Sequence, residues 1–299
     1  MSFPKIIRKH QRSSFGGGRR PLLWLLGLAL LPYVGGACGS EPSPSRLEWV
    51  LRASWQSYVQ HFISPQGRVV LPERGGETIS EAQAYALLRA VWAGDEATFA
   101  RVYAWTHGHL SRSQAQGDSL LSWRWGLKPD GSLGVLDANT ASDGDLDYAL
   151  ALSLAARRGW RPPPGVPDYL AESQRVRSAI LDLEVVTLPS GEVLLTPGNW
   201  HERQPPYLVN PSYFSPGAYR LWNPDKKENL WGQLHQATYQ LLERLDRGLG
   251  EQTGVGLFPD WCQVDGQGRL ALAPGRDLFH RDASSQRPDQ TLGAASRPP

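Results

Sequence analysis

Cysteine is almost absent from this chain of 299 residues, which contains only Cys38 and Cys262. No disulfide is possible if Cys38 is lipidated or is removed with a leader segment. No spacing of cysteine and histidine is typical of a zinc site, and the pair His107 and His109 has no third ligand close in the sequence. We therefore expect no metal and no other cofactor, and we interpret Cys262 as a small buried residue.

A basic surplus is also missing once the first 38 residues are set aside. The whole chain has 31 basic and 29 acidic residues, a formal net charge of +2. Residues 1–38 hold six basic residues and no acid, so the remainder carries 25 basic against 29 acidic side chains, about −4. A nucleic-acid partner requires a basic patch, and no dense one remains. The charge pattern therefore predicts no nucleic-acid partner.

The one long apolar run, residues 22–31, follows Arg19 and Arg20. It is too short to span a bilayer comfortably and is typical of a signal-peptide core. We interpret residues 1–38 as a leader and residues 39–45 as a polar linker. A small residue before Cys38 is typical of a bacterial lipoprotein cleavage site. The sequence leaves three possibilities for the leader: lipid attachment at Cys38 that tethers the protein to a membrane, cleavage that releases the protein, or retention as an uncleaved membrane anchor. The prediction is a secreted or periplasmic protein.

From residue 46 onward, apolar residues recur mainly at helical spacing. The predicted helices cover residues 47–59, 81–93, 96–107, 142–159, 168–182, 215–222 and 230–245, with a hairpin over residues 184–198. Helical hairpins joined by long loops favour a mainly α fold, an α/α barrel. In residues 281–299 the only large apolar side chain is Leu292. This tail is predicted to be disordered.

Two carboxylates, Glu81 and Asp143, each follow a serine at the start of a predicted helix. Such an arrangement can hold both acids at helix N-termini on one rim of a helical barrel. Two facing carboxylates with different protonation states are what hydrolysis of a glycosidic bond requires. The structural alternative is that Glu81 only complements the dipole of its own helix.

The residues around these two acids are given structural roles. Ser80 is expected to cap the first helix, with Gln83 at the spacing of a capping box. Asp145 and Asp147 are interpreted as a cap group and a surface group. Trp123, Trp125 and Gly126 are placed in an irregular connector.

Four segments, in sequence order, resemble motifs of glycoside hydrolase family 8. They are residues 80–85 (SEAQAY), 137–145 (DANTASDGD), 210–216 (NPSYFSP) and 258–261 (FPDW). With residues 121–126 (LSWRWG) between the first two, the order looks most similar to the endoglucanases of bacterial cellulose-synthesis operons. The resemblance covers residues 46–280, the expected catalytic domain. It implies an (α/α)6 barrel and inverting endo-hydrolysis of a β-1,4-glucan.

The resemblance also implies roles for single residues. Glu81 would be the general acid, and Asp143 would hold the sugar in the subsite where the bond is cleaved. Asp143 is also the candidate for the like charge that keeps Glu81 protonated near neutral pH. Tyr213 would help to position the attacking water. The tryptophans expected to stack on sugar rings are Trp123, Trp125 and Trp200.

The general base is the position that matches least well. Residues 281–287 (RDASSQR) stand where the family has tyrosine-aspartate-alanine-x-arginine, so Asp282 and Ala283 match whereas Arg281 and Ser285 do not. The family continues for about two further helices, and the loss of apolar pattern near residue 280 indicates a truncation or a shifted reading frame. The barrel is then expected to be incomplete at its C-terminal end. Asp282 is either the base or a coincidence of the shifted frame.

Two functions of different classes follow. The first is a monomeric endo-β-1,4-glucanase whose partner is a β-glucan polysaccharide. The second is a glucan-binding remnant of the same fold that lacks the base and the last helices. A third, an unrelated α/α toroid with another chemistry, would require the four motif matches to be accidental.

Overall fold

The computed structural model describes residues 45–224, 229–249, 252–253 and 257–273, all within the unit that begins at Pro44. The predicted leader with Cys38, the tail and Asp282 lie outside these residues. The described helices are α1 (Arg46–Phe62), α2 (Ser80–Ala93), α3 (Glu96–Leu110), α4 (Ser142–Arg157), α5 (Tyr169–Leu183), α6 (Pro216–Trp222) and α7 (Leu230–Asp246). Each helix predicted from the sequence is confirmed. None of the helices in the described ranges is both long and apolar enough to cross a bilayer.

Short antiparallel strands connect the helices. They are β1 (Thr78–Ile79), β2 (Arg124–Leu127), β3 (Leu133–Asp137), β4 (Val185–Thr187), β5 (Val193–Leu195), β6 (Tyr207–Val209), β7 (Gly248–Leu249), β8 (Gln252–Thr253), β9 (Cys262–Val264) and β10 (Leu270–Leu272). They form the sheets β1-β2-β3 and β10-β9-β6 and the pairs β4-β5 and β7-β8. The pair β4-β5 confirms the predicted hairpin. The predicted connector is wrong at Trp125 and Gly126, which lie in β2.

Helices α2 and α4 form the centre of the core, where they pack against each other and α4 also packs against α5. Helix α2 is buried on most of its surface, and four of its buried residues are alanines: Ala82, Ala84, Ala86 and Ala90. Small side chains let helix backbones approach closely. The approach is closest at Gly144, where an added Cβ would lie 2.5 Å from the Ser80 hydroxyl and 3.0 Å from the Glu81 nitrogen. The N-terminal ends of α2 and α4 therefore lie side by side.

The capping box predicted at the start of α2 is absent. The helix begins at Ser80 itself, and its N-cap residue Ile79 makes no side-chain cap bond. Gln83 points inward: its amide accepts from the Val69 N–H at 2.5 Å and donates to the Thr106 hydroxyl at 2.7 Å. The reason is tertiary packing, because this helix end is buried against α4 rather than exposed to solvent.

Candidate active site

Backbone carbonyls from neighbouring loops hold the starts of α2 and α4 in place. The Ser80 N–H donates to the Trp123 carbonyl at 3.0 Å, and the Ser142 N–H donates to the Pro197 carbonyl at 3.1 Å. In both helices the serine is buried and the acid that follows it is half-buried. The two acids thus lie in the first turns of adjacent helices, as the sequence predicts.

Three carboxyl groups, those of Glu81, Asp143 and Asp147, interact electrostatically at this junction. Burial, with the nearby charges of Glu81 and Asp147, raises the pKa of Asp143 to about 7. Burial and the charge of Glu81 raise the pKa of Asp147 to about 6. The Gly144 N–H donates to Asp143 Oδ1 at 2.7 Å and favours the ionised form, which opposes the rise. The cluster can therefore retain a proton near neutral pH.

Tyr85 lies one helical turn beyond Glu81, and its hydroxyl hydrogen-bonds to the Glu81 side chain. Burial, followed by the charge of Glu81, raises the pKa of this phenol. The phenol is therefore a neutral donor in the physiological range. Its ring is 46% exposed, so it also offers open surface beside the carboxyl cluster.

Two interpretations of the second acidic segment need correction. Asp147 is half-buried beside Glu81 and is not a surface group. Asp145 is fully buried and caps no helix; its Oδ1 atom accepts from the Leu121 N–H at 2.8 Å. The physical reason is that the first turn of α4 inserts between α2 and the 120–123 loop, so acids there face protein on several sides.

Trp123 and Trp200 both keep part of their side chain exposed to solvent. Trp123 is half-buried, with the guanidinium carbons of Arg74 and Arg124 each 5.8 Å from its ring centroid. Trp200 is 39% exposed, and its indole N–H donates to the Thr140 carbonyl at 3.1 Å. Both side chains are thus partly exposed, and the hydrogen bond to Thr140 orients the Trp200 indole.

Trp125 is in a different environment. It is 7% exposed, lies edge-on to Trp105 at 5.2 Å, and has the guanidinium of Arg68 over its ring at 4.4 Å. A side chain buried this deeply has little surface left for a sugar. Trp125 therefore belongs to the hydrophobic core, on the buried side of the β1-β2-β3 sheet.

The third and fourth motif segments meet near α4. A 3₁₀ turn, Pro211–Tyr213, lies against α4 and begins at Asn210, whose side chain accepts from the Ser212 N–H at 3.0 Å. The ring of Tyr213 lies edge-on to Trp261, with 6.0 Å between centroids. Segments far apart in the sequence thus gather around one helix.

Three residues of the site region were not found from the sequence. Tyr85 and Asp147 follow Glu81 and Asp143 by four positions, a spacing that puts side chains on the same helix face and could have identified them. Glu184 is fully buried at the end of α5, next to Asp145, and no local pattern marks it. In the described ranges, no group of three histidine, cysteine, aspartate or glutamate side chains is arranged to bind a metal ion.

Most of this chain matches the model of one known protein family. The family model for glycosyl hydrolases family 8 matches residues 44–284. The endoglucanase of Xanthomonas axonopodis pv. citri is 32% identical over 243 residues, covering 80% of this chain and 58% of that protein. The chain spans little more than half the length of the first curated relatives it matches.

Solved structures agree with this match. The endo-β-1,4-glucanase of Acetobacter xylinum aligns with a TM-score of 0.63 and 30% identity, covering 75% of this chain and 66% of that one. A family 8 endoglucanase from Klebsiella pneumoniae aligns with a TM-score of 0.63 and 27% identity, covering 75% and 67%. The predicted mainly α fold of the (α/α)6 barrel type is confirmed.

Proposed function

This chain belongs to glycoside hydrolase family 8, and from that membership we propose that it is an inverting endo-β-1,4-glucanase with Glu81 as the general acid. The observation that carries the proposal is the junction of α2 and α4. It places Glu81 beside Asp143 and Asp147, and a cluster of three carboxyl groups at one partly buried junction can retain a proton near neutral pH. The endoglucanase relatives supply the substrate class, a β-1,4-linked glucan.

The proposed chemistry begins with transfer of a proton from Glu81 to the oxygen of the bond being cleaved. A water on the opposite face of the sugar attacks, after a second carboxylate has removed its proton. In an inverting enzyme the two carboxyl groups stand about 6.5–9.5 Å apart to admit that water. We propose Asp282 as this base and Tyr213 as a residue that positions the water.

The remaining site residues are proposed to hold the polymer. Asp143 would accept hydrogen bonds from sugar hydroxyls at the cleavage subsite. Trp123 and Trp200 would stack on sugar rings, because flat apolar faces fit the CH faces of a pyranose. We leave Trp125 out of this group because it is buried in the core.

The test is a pair of matched substitutions. Glu81→Gln keeps the shape of the side chain and cannot donate the proton, so we expect hydrolysis of carboxymethyl cellulose to fall by about 10²–10⁴-fold. Glu96→Gln is the control, because Glu96 also lies in the first turn of a helix, α3, and is exposed. A Glu81→Gln protein that hydrolyses as fast as the Glu96→Gln protein would remove Glu81 from the mechanism.

The same experiment separates the two functional classes. If unmodified protein binds carboxymethyl cellulose and releases no reducing ends, the glucan-binding remnant is the better description. If it hydrolyses the polymer and Asp282→Asn abolishes the activity, Asp282 is supported as the base. Activity that survives Asp282→Asn would show that another group removes the proton from the water.

A further inference from the structure

A second pair of acids, Asp145 and Glu184, lies beneath the proposed catalytic cluster, and both are fully buried. Asp145 Oδ1 accepts from the Leu121 N–H at 2.8 Å, and Glu184 Oε1 accepts from the Thr140 hydroxyl at 2.5 Å. The other oxygens, Asp145 Oδ2 and Glu184 Oε2, have no N–H or O–H donor in the described part of the chain. The two carboxyl groups are close enough to hydrogen-bond to each other if one of them carries a proton.

Two carboxyl groups can hydrogen-bond only if one of them carries a proton, because an ionised carboxylate is an acceptor alone. Within the described ranges, neither group takes part in an ion pair with an arginine or lysine. A second buried negative charge at this position would therefore have no compensating cation.

The charged and titratable groups that face the pair do not change this conclusion. Asp143 and Asp118 add negative potential at Glu184, and Asp118 is itself paired with Arg112 at 2.8 Å. The phenols of Tyr148 and Tyr219 also face the pair; both are buried, and burial raises the pKa of each. Burial raises the pKa of both Asp145 and Glu184 above the ordinary carboxyl range.

We propose that Asp145 and Glu184 share one proton, and that the resulting neutral-acid and carboxylate pair positions Asp143 and the loops that carry Trp123 and Trp200. Asp145 lies in the same helical turn as Asp143 and binds the backbone two residues before Trp123. Glu184 binds the Thr140 hydroxyl, while the Thr140 carbonyl accepts from the Trp200 indole. The pair therefore links both loops to the start of α4.

Loss of the shared proton would place two like charges in one buried site. Burial raises the pKa of both acids of the pair in the folded protein. The stabilisation from the held proton is therefore complete below the ordinary carboxyl range and is lost as pH rises through the raised pKa of the pair. The link between the loops should weaken in the same range.

The first test compares Asp145→Asn with Asp145→Ala. The asparagine amide can donate to Glu184 at every pH, and its oxygen can keep the bond to Leu121, whereas alanine loses both. We expect the melting temperature of the unmodified protein to fall more steeply between about pH 6 and pH 9 than that of Asp145→Asn. At about pH 6, the alanine variant should have the lowest melting temperature of the three proteins. Parallel melting curves for the unmodified and asparagine proteins would overturn the shared proton.

A second, spectroscopic test does not depend on stability. Infrared spectra near neutral pH should contain a carbonyl band from a buried protonated carboxyl group, since the pKa of both acids is raised above the ordinary carboxyl range. The band should persist in Asp143→Asn and disappear in Asp145→Asn. A band that persists in Asp145→Asn would assign the proton elsewhere and contradict the proposal.

The positioning role is tested by titrating a cello-oligosaccharide against tryptophan fluorescence, and only this measurement rests on the proposed function. We expect Asp145→Ala to weaken binding by about tenfold or more and Asp145→Asn to stay within about threefold of the unmodified protein. Unchanged binding in the folded alanine variant would reject the positioning role. Absence of binding in the unmodified protein would instead count against the proposed function and would leave the melting and infrared results unaffected.

Discussion

The helices of this protein start in two different ways. Helices α1, α3, α5 and α7 start with side-chain caps, in which Ser45, Asp95, Asp168 and Asn229 accept from backbone N–H groups of the first turn. Helices α2 and α4 have Ile79 and Ala141 at the same position, with no side-chain cap bond. The short α6 starts with Pro216, which has no N–H to satisfy.

The difference separates helix ends that stabilise the fold from helix ends that form the proposed site. In α2 and α4 the serine, Ser80 or Ser142, is the first residue of the helix and not the N-cap residue before it. Neither buried hydroxyl has a hydrogen-bond partner in the described ranges. The acids that follow bring like charges together at a buried junction. Both features cost stability, and such costs are typical of functional sites. Four substitutions test this contrast.

Gly144→Ala should have the largest effect, because it separates the two helix starts. The added Cβ would approach the Ser80 hydroxyl to 2.5 Å and the Glu81 nitrogen to 3.0 Å. The Glu81 nitrogen is a backbone atom and cannot rotate away as the end of a flexible side chain can, so Glu81 must shift. A displacement of about 1 Å can lower a catalytic rate by about 10²-fold. Gly108→Ala in α3 is the control, since its Cβ would meet nothing within 4 Å. Equal hydrolysis rates in the two variants would contradict the close packing.

Asp143→Asn should lower activity and raise stability at neutral pH. The pKa of Asp143 is raised to about 7 in the folded protein, so stability from its proton is complete below about pH 4 and is lost as pH rises through about 7. Across that window the free energy of unfolding should decline by up to about 1.4 kcal/mol per pH unit. Urea unfolding at several pH values should show a shallower decline in Asp143→Asn, and an unchanged slope would mean that Asp143 does not hold this proton.

Asp95→Ala should cost about 1 kcal/mol of unfolding free energy, within a range of about 0.5–2 kcal/mol for a lost N-cap. The Asp95 side chain accepts from the Thr98 N–H at 2.9 Å and from the Trp55 indole at 3.0 Å. Glucan hydrolysis should not change, because this helix start lies outside the proposed site. Chemical denaturation and the hydrolysis assay measure the two quantities separately.

Ser80→Ala should have the smallest effect, about 0.5 kcal/mol or less in either direction. Its hydroxyl has no hydrogen-bond partner in the described ranges, so its removal breaks no bond and relieves a buried polar group. A loss as large as that of Asp95→Ala would show that the hydroxyl does cap α2.

The sequence predicted the helices and the junction of Glu81 with Asp143, because apolar periodicity and acids at helix starts are local signals. It misplaced Ser80 and Gln83 because a capping box looks the same whether a helix end meets water or another helix. It missed the burial of Asp145 and its partner Glu184 because that contact joins residues 39 positions apart. The burial of Trp125 was missed for the same reason, because it depends on the pairing of β2 with β1 and β3.

The inward orientation of Gln83 has a consequence for inherited variation. Its amide oxygen accepts from Val69, and its nitrogen donates to the Gly67 carbonyl at 3.3 Å and to the Thr106 hydroxyl. Glutamate differs from glutamine by a single base in the codon, yet its carboxylate would face the Gly67 carbonyl without a proton to donate. A point mutation at this codon should therefore reduce the amount of folded protein in the cell while every proposed catalytic group stays intact. A genetic screen would score such a strain as lacking the protein.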